Sequence, residues 1–276
     1  MILWVVSLWI SHALAGGVVT LAPSLAEVVT EILPRSEWNK IVGVADYTDF
    51  PQELSGVPSV GSFAQFSVEK VVSLKPDLIL ATTDGNPKDR VQRLRELGFP
   101  VVVLSTGSLA EIEESFRIVG RALGRLDTAE KVANKFAARI KALQSLWHPP
   151  MSRPSVLLQL GSDPLVVVGG RGFLAQAVEL IGATNIYGNA DSAYPRPSTE
   201  DAIVRKPEFI FVLTMGSNRS YFEHLVEEWQ RFQSIPAVQQ KKVRILPGDE
   251  LARPSSRFLS GLATLQTTIF GKTGLR

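Results

Sequence analysis

Two glutamates, Glu69 and Glu200, stand at the same place in a stretch that occurs twice: Val68-Glu69-Lys70-Val71-Val72-Ser73-Leu74-Lys75-Pro76-Asp77-Leu78-Ile79-Leu80 and Thr199-Glu200-Asp201-Ala202-Ile203-Val204-Arg205-Lys206-Pro207-Glu208-Phe209-Ile210-Phe211. The glutamates are 131 residues apart and so are Pro76 and Pro207, so the copies align without a gap. The chemistry open to such a pair is electrostatic. A carboxylate in the first turn of a helix suits the helix dipole by about 0.3–1 kcal/mol.

Reactive constellations do not assemble from this chain. It has no cysteine and three histidines, His12, His148 and His224, which leaves no thiolate, no histidine-rich zinc site and no convincing Ser-His-Asp set. Gly169-Gly170-Arg171-Gly172 precedes a helix but lacks both the Walker spacing and the GxGxxG spacing of phosphate loops. Asp84, Asp163 and Asp191 read as turn formers. The residues therefore assemble no enzyme site, an α/β hydrolase is the weakest reading, and neither a metal nor a resident cofactor is expected.

The elements that must position the glutamates follow from the same repeat. Each copy carries a short helical pattern, a Lys-Pro that stops it, since proline disfavours helical geometry in the residue before it, and an apolar run that reads as a buried strand. Strand and helix patterns alternate throughout residues 17–272, which argues for helices covering mostly parallel sheets. Ser24 with Glu27 reads as a capping box opening the first helix, and Gly98 and Gly124 read as helix stops. Residues 127–147 form an unbroken helical pattern, capped by Asp127, with Val132, Phe136, Ile140, Leu143 and Trp147 on one stripe, ended by His148-Pro149-Pro150. At 1.5 Å per residue this helix spans roughly 30 Å, enough to act as a strut. The expected organisation is an N-terminal α/β lobe over 17–125, an interlobe helix over 127–147 and a C-terminal α/β lobe over 154–272.

With 276 residues, 45% hydrophobic and 20% charged, the chain suits two packed globular domains. A net charge of +2 from scattered residues, without a basic block, argues against nucleic acid. The apolar run from Met1 to Ile10, followed by Ala13-Leu14-Ala15, reads as a secretory signal peptide over residues 1–15, although no basic residue precedes it. No later segment is long and apolar enough to span a bilayer.

The order of lobe, connecting helix and lobe resembles the helical-backbone (class III) substrate-binding proteins of bacterial ABC importers. The likeness runs through Val19-Thr20-Leu21-Ala22-Pro23-Ser24, Gly43-Val44-Ala45-Asp46-Tyr47-Thr48-Asp49-Phe50-Pro51, Gly61-Ser62-Phe63, Leu158-Gln159-Leu160-Gly161 and Gly182-Ala183-Thr184-Asn185-Ile186. The resemblance implies two Rossmann-like lobes, central sheets flanked by helices, joined by one long rigid helix with a ligand cleft between them. It implies a periplasmic monomer that captures cobalamin, a ferric siderophore or haem, without enzymatic turnover and with little rearrangement. It further implies that Glu69 and Glu200 dock onto arginines of the importer's transmembrane subunits. Matching ligand-facing positions are Pro23, Ser24, Tyr47, Asp49 and Phe63 on the first lobe, and Tyr194, Arg196, Glu250 and Arg253 on the second.

The segments lean toward the cobalamin-binding branch, so a corrinoid is the expected ligand. That branch has tryptophans near the positions of Phe63, Arg196 and Glu250, and this chain does not. Arg171, Arg196 and Arg253 would suit an anionic siderophore or haem, since guanidinium forks match carboxylates. Tyr47 would suit a haem iron.

Overall fold

A computed structural model of the chain describes residues 16–146, 153–214, 216 and 219–271. The expected signal peptide, Trp147 and His148-Pro149-Pro150 lie outside the described residues. The chain forms two compact units, divided inside one helix between Lys135 and Phe136, with Gly107–Leu109 belonging to the second unit.

The first unit opens with β1 (Val18–Thr20), α1 (Pro23–Ile32) and β2 (Ile41–Val44), then a short hairpin of β3 (Gly61–Ser62) and β4 (Gln65–Phe66). It continues through α2 (Val68–Ser73), β5 (Leu78–Thr82), α3 (Lys88–Glu96), β6 (Val101–Leu104), α4 (Leu109–Ala122) and α5 (Leu126–Leu146), the helix shared by the two units. Its sheet runs β2-β1-β5-β6 with every neighbour parallel. β1 and β5 are buried along their whole length, as central strands covered on both faces must be. Val19, Leu21, Phe66, Val71, Ile79 and Leu94 pack one core under this sheet. Each such side chain contributes about 1.5–3 kcal/mol by leaving water.

The second unit has β7 (Ser155–Ser162), β8 (Leu165–Val167), α6 (Phe173–Leu180), β9 (Thr184–Asn185), α7 (Thr199–Val204), β10 (Phe209–Leu213) and α8 (Arg219–Gln230). It ends with α9 (Pro236–Gln239), β11 (Val243–Leu246), α10 (Gly248–Leu251) and α11 (Phe258–Phe270). The sheet order is β11-β10-β7-β8, with β9 also on β7. β8 alone is antiparallel, folding back on the end of β7. One face of the sheet packs Phe222, Leu225 and Trp229 of α8 against Leu157, Ile210 and Val212.

Two of the expected caps are corrected. α1 has Ala22 at its N-cap and Pro23 in its first turn; Ser24 lies inside the helix, 6% exposed, and Glu27 is 1% exposed. Proline's fixed φ suits the first helical position and starts the helix two residues earlier than a cap at Ser24 would. α5 likewise begins at Leu126, so Asp127 sits in its first turn and not at its cap. The buried stripe of α5 is Ala129, Ala133, Phe136 and Leu143. Its start is set by small residues because Gly120 of α4 approaches so closely that a Cβ there would lie 2.1 Å from that of Ala129. Among the described residues no helix is long and apolar enough to cross a membrane.

Candidate ligand site

In a parallel sheet every strand ends at the same edge, and ligands of open α/β sheets sit there, at the point where strand order reverses. In the first unit that point lies between β1 and β5, which pair directly but lead into opposite halves of the sheet. Pro23 and Ser24 follow β1 there, Pro23 half-buried and Ser24 buried. The loop after β5 is held by Asn86, 6% exposed, whose amide nitrogen donates to the Leu21 carbonyl at 2.8 Å and the Phe63 carbonyl at 2.6 Å. Its Oδ1 accepts from the Thr82 amide at 2.7 Å. One side chain thus fixes the β1 loop, the β3-β4 hairpin and the end of β5. Asp84 accepts from the Thr106 amide at 3.0 Å and from its hydroxyl, bracing the end of β5 against the segment after β6. That is a turn-forming role, as the sequence suggested.

Phe63 is 43% exposed, and its ring lies on Gly85, where a Cβ would come within 1.9 Å of it. Tyr47, after β2, is 76% exposed and has φ 63°, a left-handed conformation that costs a bulky residue energy. The turn that holds it is closed by the Thr48 hydroxyl donating to the Ala45 carbonyl at 2.7 Å, and by the Asp46 amide donating to the Gly61 carbonyl at 2.9 Å. Strained backbone carrying an exposed aromatic at a strand end is a functional indication from the structure. Asp49 is exposed on the same loop. The structure therefore brings Pro23, Ser24, Tyr47, Asp49 and Phe63 to one edge of this unit.

The second unit is less uniform. The amides of Val167 and Gly169 donate to the carbonyls of Pro195 and Ala193, so residues 193–195 run beside β8 toward the carboxyl end of β7. Arg196 reaches that edge and is exposed, whereas Tyr194, opposite Val168, is set back from it. The glycines at 169 and 170 exist to admit this loop: a Cβ at either would lie 2.1 or 2.2 Å from the Ser192 or Gly188 carbonyl oxygen. No phosphate cradle is needed to explain them. Arg171 is ion-paired with Asp191. Arg253, its side chain 11% exposed, is paired with Asp249 at 2.7 Å, and Asp249 also accepts from the Gly216 amide at 2.9 Å. Glu250 lies 3.8 Å from Arg257. Of the three arginines suited to an anion, Arg253 is held by a largely buried aspartate, and Arg171 meets its aspartate in solvent. His224 is on the surface of α8, 3.6 Å from Glu228.

The repeat proves to be structural down to its cap. Ser67 and Ser198 stand at the N-caps of α2 and α7, and each hydroxyl accepts from the amide three residues on, at 3.2 Å. Lys75 and Lys206 both adopt left-handed φ, 47° and 48°, and turn the chain into β5 and β10. A helix that precedes a parallel strand starts at that strand's carboxyl edge, so Glu69 and Glu200 each lie at the same edge as the strand-end loops of their own unit. Both are fully exposed, and both carboxyls are held below their ordinary value by their own backbone amides first and by the cap serine second. α7 is further fastened by Arg205, which donates to Asp201 at 2.8 Å and to the Ile186 carbonyl at 2.9 Å and lies 4.5 Å over the Tyr187 ring. Burial raises the Tyr187 hydroxyl above its ordinary value, and the Arg205 guanidinium holds Asp201 below its own. Sequence reasoning missed the two cap serines, although they share the spacing of the repeat, and missed Asn86, whose contacts no local pattern announces.

Mostly parallel sheets flanked by helices, with exposed aromatics at strand ends of the first unit, define an α/β protein of two similar units. The chain belongs to the family described as periplasmic binding protein, which it matches over residues 18–250. The vitamin B12-binding protein of Vibrio cholerae is 27% identical over 252 residues, covering 91% of this chain and 87% of that protein. Its counterpart in Vibrio campbellii is 25% identical over 245 residues, with 89% and 86% covered. Among solved structures, the periplasmic vitamin B12 binding protein of Vibrio cholerae superposes with a TM-score of 0.78 at 27% identity, covering 91% of this chain and 95% of that one. The apo periplasmic haem-binding protein of Roseiflexus superposes at 0.82 with 23% identity, covering 92% and 98%, and shows a shared fold.

Proposed function

We propose that this protein is an exported carrier that captures a corrinoid and delivers it to an ABC importer, with no chemical conversion. The observation that carries the reading is the aromatic edge of the first unit, where Tyr47 and Phe63 are exposed on backbone fixed by Asn86 and the Ala45–Thr48 turn. A large planar ligand needs aromatic and apolar surface with a few polar groups for its rim. The relatives named vitamin B12-binding proteins support the same ligand class. So does the largely buried pairing of Arg253 with Asp249, which compensates that guanidinium and suits the near-neutral, amide-rich corrin rim.

Two observations favour a second reading, a haem or ferric siderophore carrier. Arg196 is exposed at the edge of the second unit, and Tyr47 presents a phenol on the first. Calorimetric titration with cyanocobalamin and, separately, haemin decides between them. Saturable one-to-one binding of cyanocobalamin at sub-micromolar affinity, with haemin weaker, is expected; the reverse order would replace the corrinoid reading with the second one.

A further inference from the structure

The second unit holds an aromatic at the carboxyl edge of its sheet that the sequence did not single out. Tyr221, in the first turn of α8, is 42% exposed, and its hydroxyl is hydrogen-bonded to the Ser162 hydroxyl at the last residue of β7. Its ring packs edge-to-face on Phe222, centroids 5.2 Å apart at 74°. Phe222 itself is 7% exposed and belongs to the core under the sheet. The Tyr221 ring is thus fixed at both ends, by a hydrogen bond at its tip and by a buried neighbour at its base, and still leaves much of its surface to solvent.

Exposing a large apolar ring is ordinary; clamping one in a single pose costs side-chain entropy and needs a compensating use. Ser162 places this ring beside the ends of β7 and β10, where ligands of such sheets bind, while Tyr194 stands back along β8. We infer that Tyr221, oriented by Ser162, is a ligand-contacting aromatic of the second unit and presents its ring to the apolar part of a corrinoid. The inference rests on the corrinoid-carrier reading and adds to it a specificity-determining residue. A rigid aromatic gives contact area at small entropic cost and tolerates loss of its hydroxyl where the ring makes the contact.

The test is calorimetric titration of cyanocobalamin into wild type, Tyr221→Ala, Tyr221→Phe and Ser162→Ala, each checked by thermal unfolding. Tyr221→Ala is expected to weaken binding about tenfold at an unchanged melting temperature, whereas Tyr221→Phe and Ser162→Ala, which delete the same hydrogen bond and keep the ring, are expected to show an equal and much smaller loss. Equal affinity of Tyr221→Ala and wild type would overturn the inference and leave the carrier reading intact. So would a loss in Tyr221→Phe as large as that in Tyr221→Ala, which would make the hydroxyl latch the only role. Wild type that binds no cyanocobalamin overturns the corrinoid reading and this contact with it. A second measurement does not depend on a folded variant: nitration of Tyr221 by tetranitromethane, followed by peptide mass spectrometry, is expected to slow when cyanocobalamin is present. An unchanged rate would count against the contact.

Discussion

Phe63 and Gly85 show how a single missing Cβ shapes this surface. The Phe63 ring occupies the space a side chain at 85 would fill, and Asn86 holds the Phe63 carbonyl from below at 2.6 Å. Ring and backbone are therefore positioned by adjacent residues of one loop, which spares the ligand the task of ordering them. Gly85→Ala should drive the ring off its seat, since a Cβ at 1.9 Å cannot be accommodated by a few tenths of an ångström. Phe63 is on the surface, so the displaced ring can move into solvent and stability should fall by less than about 1 kcal/mol. Cyanocobalamin affinity should drop about tenfold, as expected for misplacing one aromatic contact. Titration beside a denaturant melt separates the two quantities, and an unchanged affinity would remove Phe63 from the site.

The helix-turn-strand unit around each glutamate is the element the chain uses twice. Lys75 and Lys206 sit at φ 47° and 48°, in the left-handed region, because the turn from α2 or α7 into a buried strand demands it. An L-residue pays about 1–2 kcal/mol for that conformation, and glycine avoids it at an entropic cost of about 0.5–1 kcal/mol. Lys75→Gly and Lys206→Gly should each stabilise the protein by roughly 0.5 kcal/mol in urea unfolding, with equal effects if the two units are built alike; destabilisation of either would show that the lysine side chain has a role of its own. This element was legible in the sequence because all its determinants are local: the Lys-Pro stop, the helical spacing and the apolar run. What was misread was also local but competitive. Pro23 and Ser24 both favour a helix start, and the proline won, carrying Ser24 into the buried face. What was missed was non-local. Asn86 acts across 65 residues on Leu21, and Tyr221 across 59 on Ser162, distances at which no periodicity or motif carries information.

At the scale of the whole molecule, the two units offer the same acidic helix start, each at the carboxyl edge of its own sheet. We propose that each glutamate meets one of two equivalent subunits of the proposed importer. Charge complementarity of this kind governs encounter and register, and it is screened by salt because both carboxylates are exposed. Each carboxyl is held below its ordinary value of 4.5, so both remain anionic from pH 7 down to pH 5. A depressed folded-state pKa contributes stability that is present above the unfolded value and is lost as pH falls through the folded one. The window in which these groups change charge therefore lies below 4.5, and transporter stimulation should not vary with their titration between pH 7 and 5. Glu69→Lys combined with Glu200→Lys should abolish stimulation of the importer's ATPase, measured in reconstituted vesicles, while cyanocobalamin affinity stays within about twofold of wild type. Each single reversal leaves one unit able to dock and should weaken stimulation without removing it. Full stimulation by the double variant would show that the repeated glutamates serve only the dipoles of their own helices.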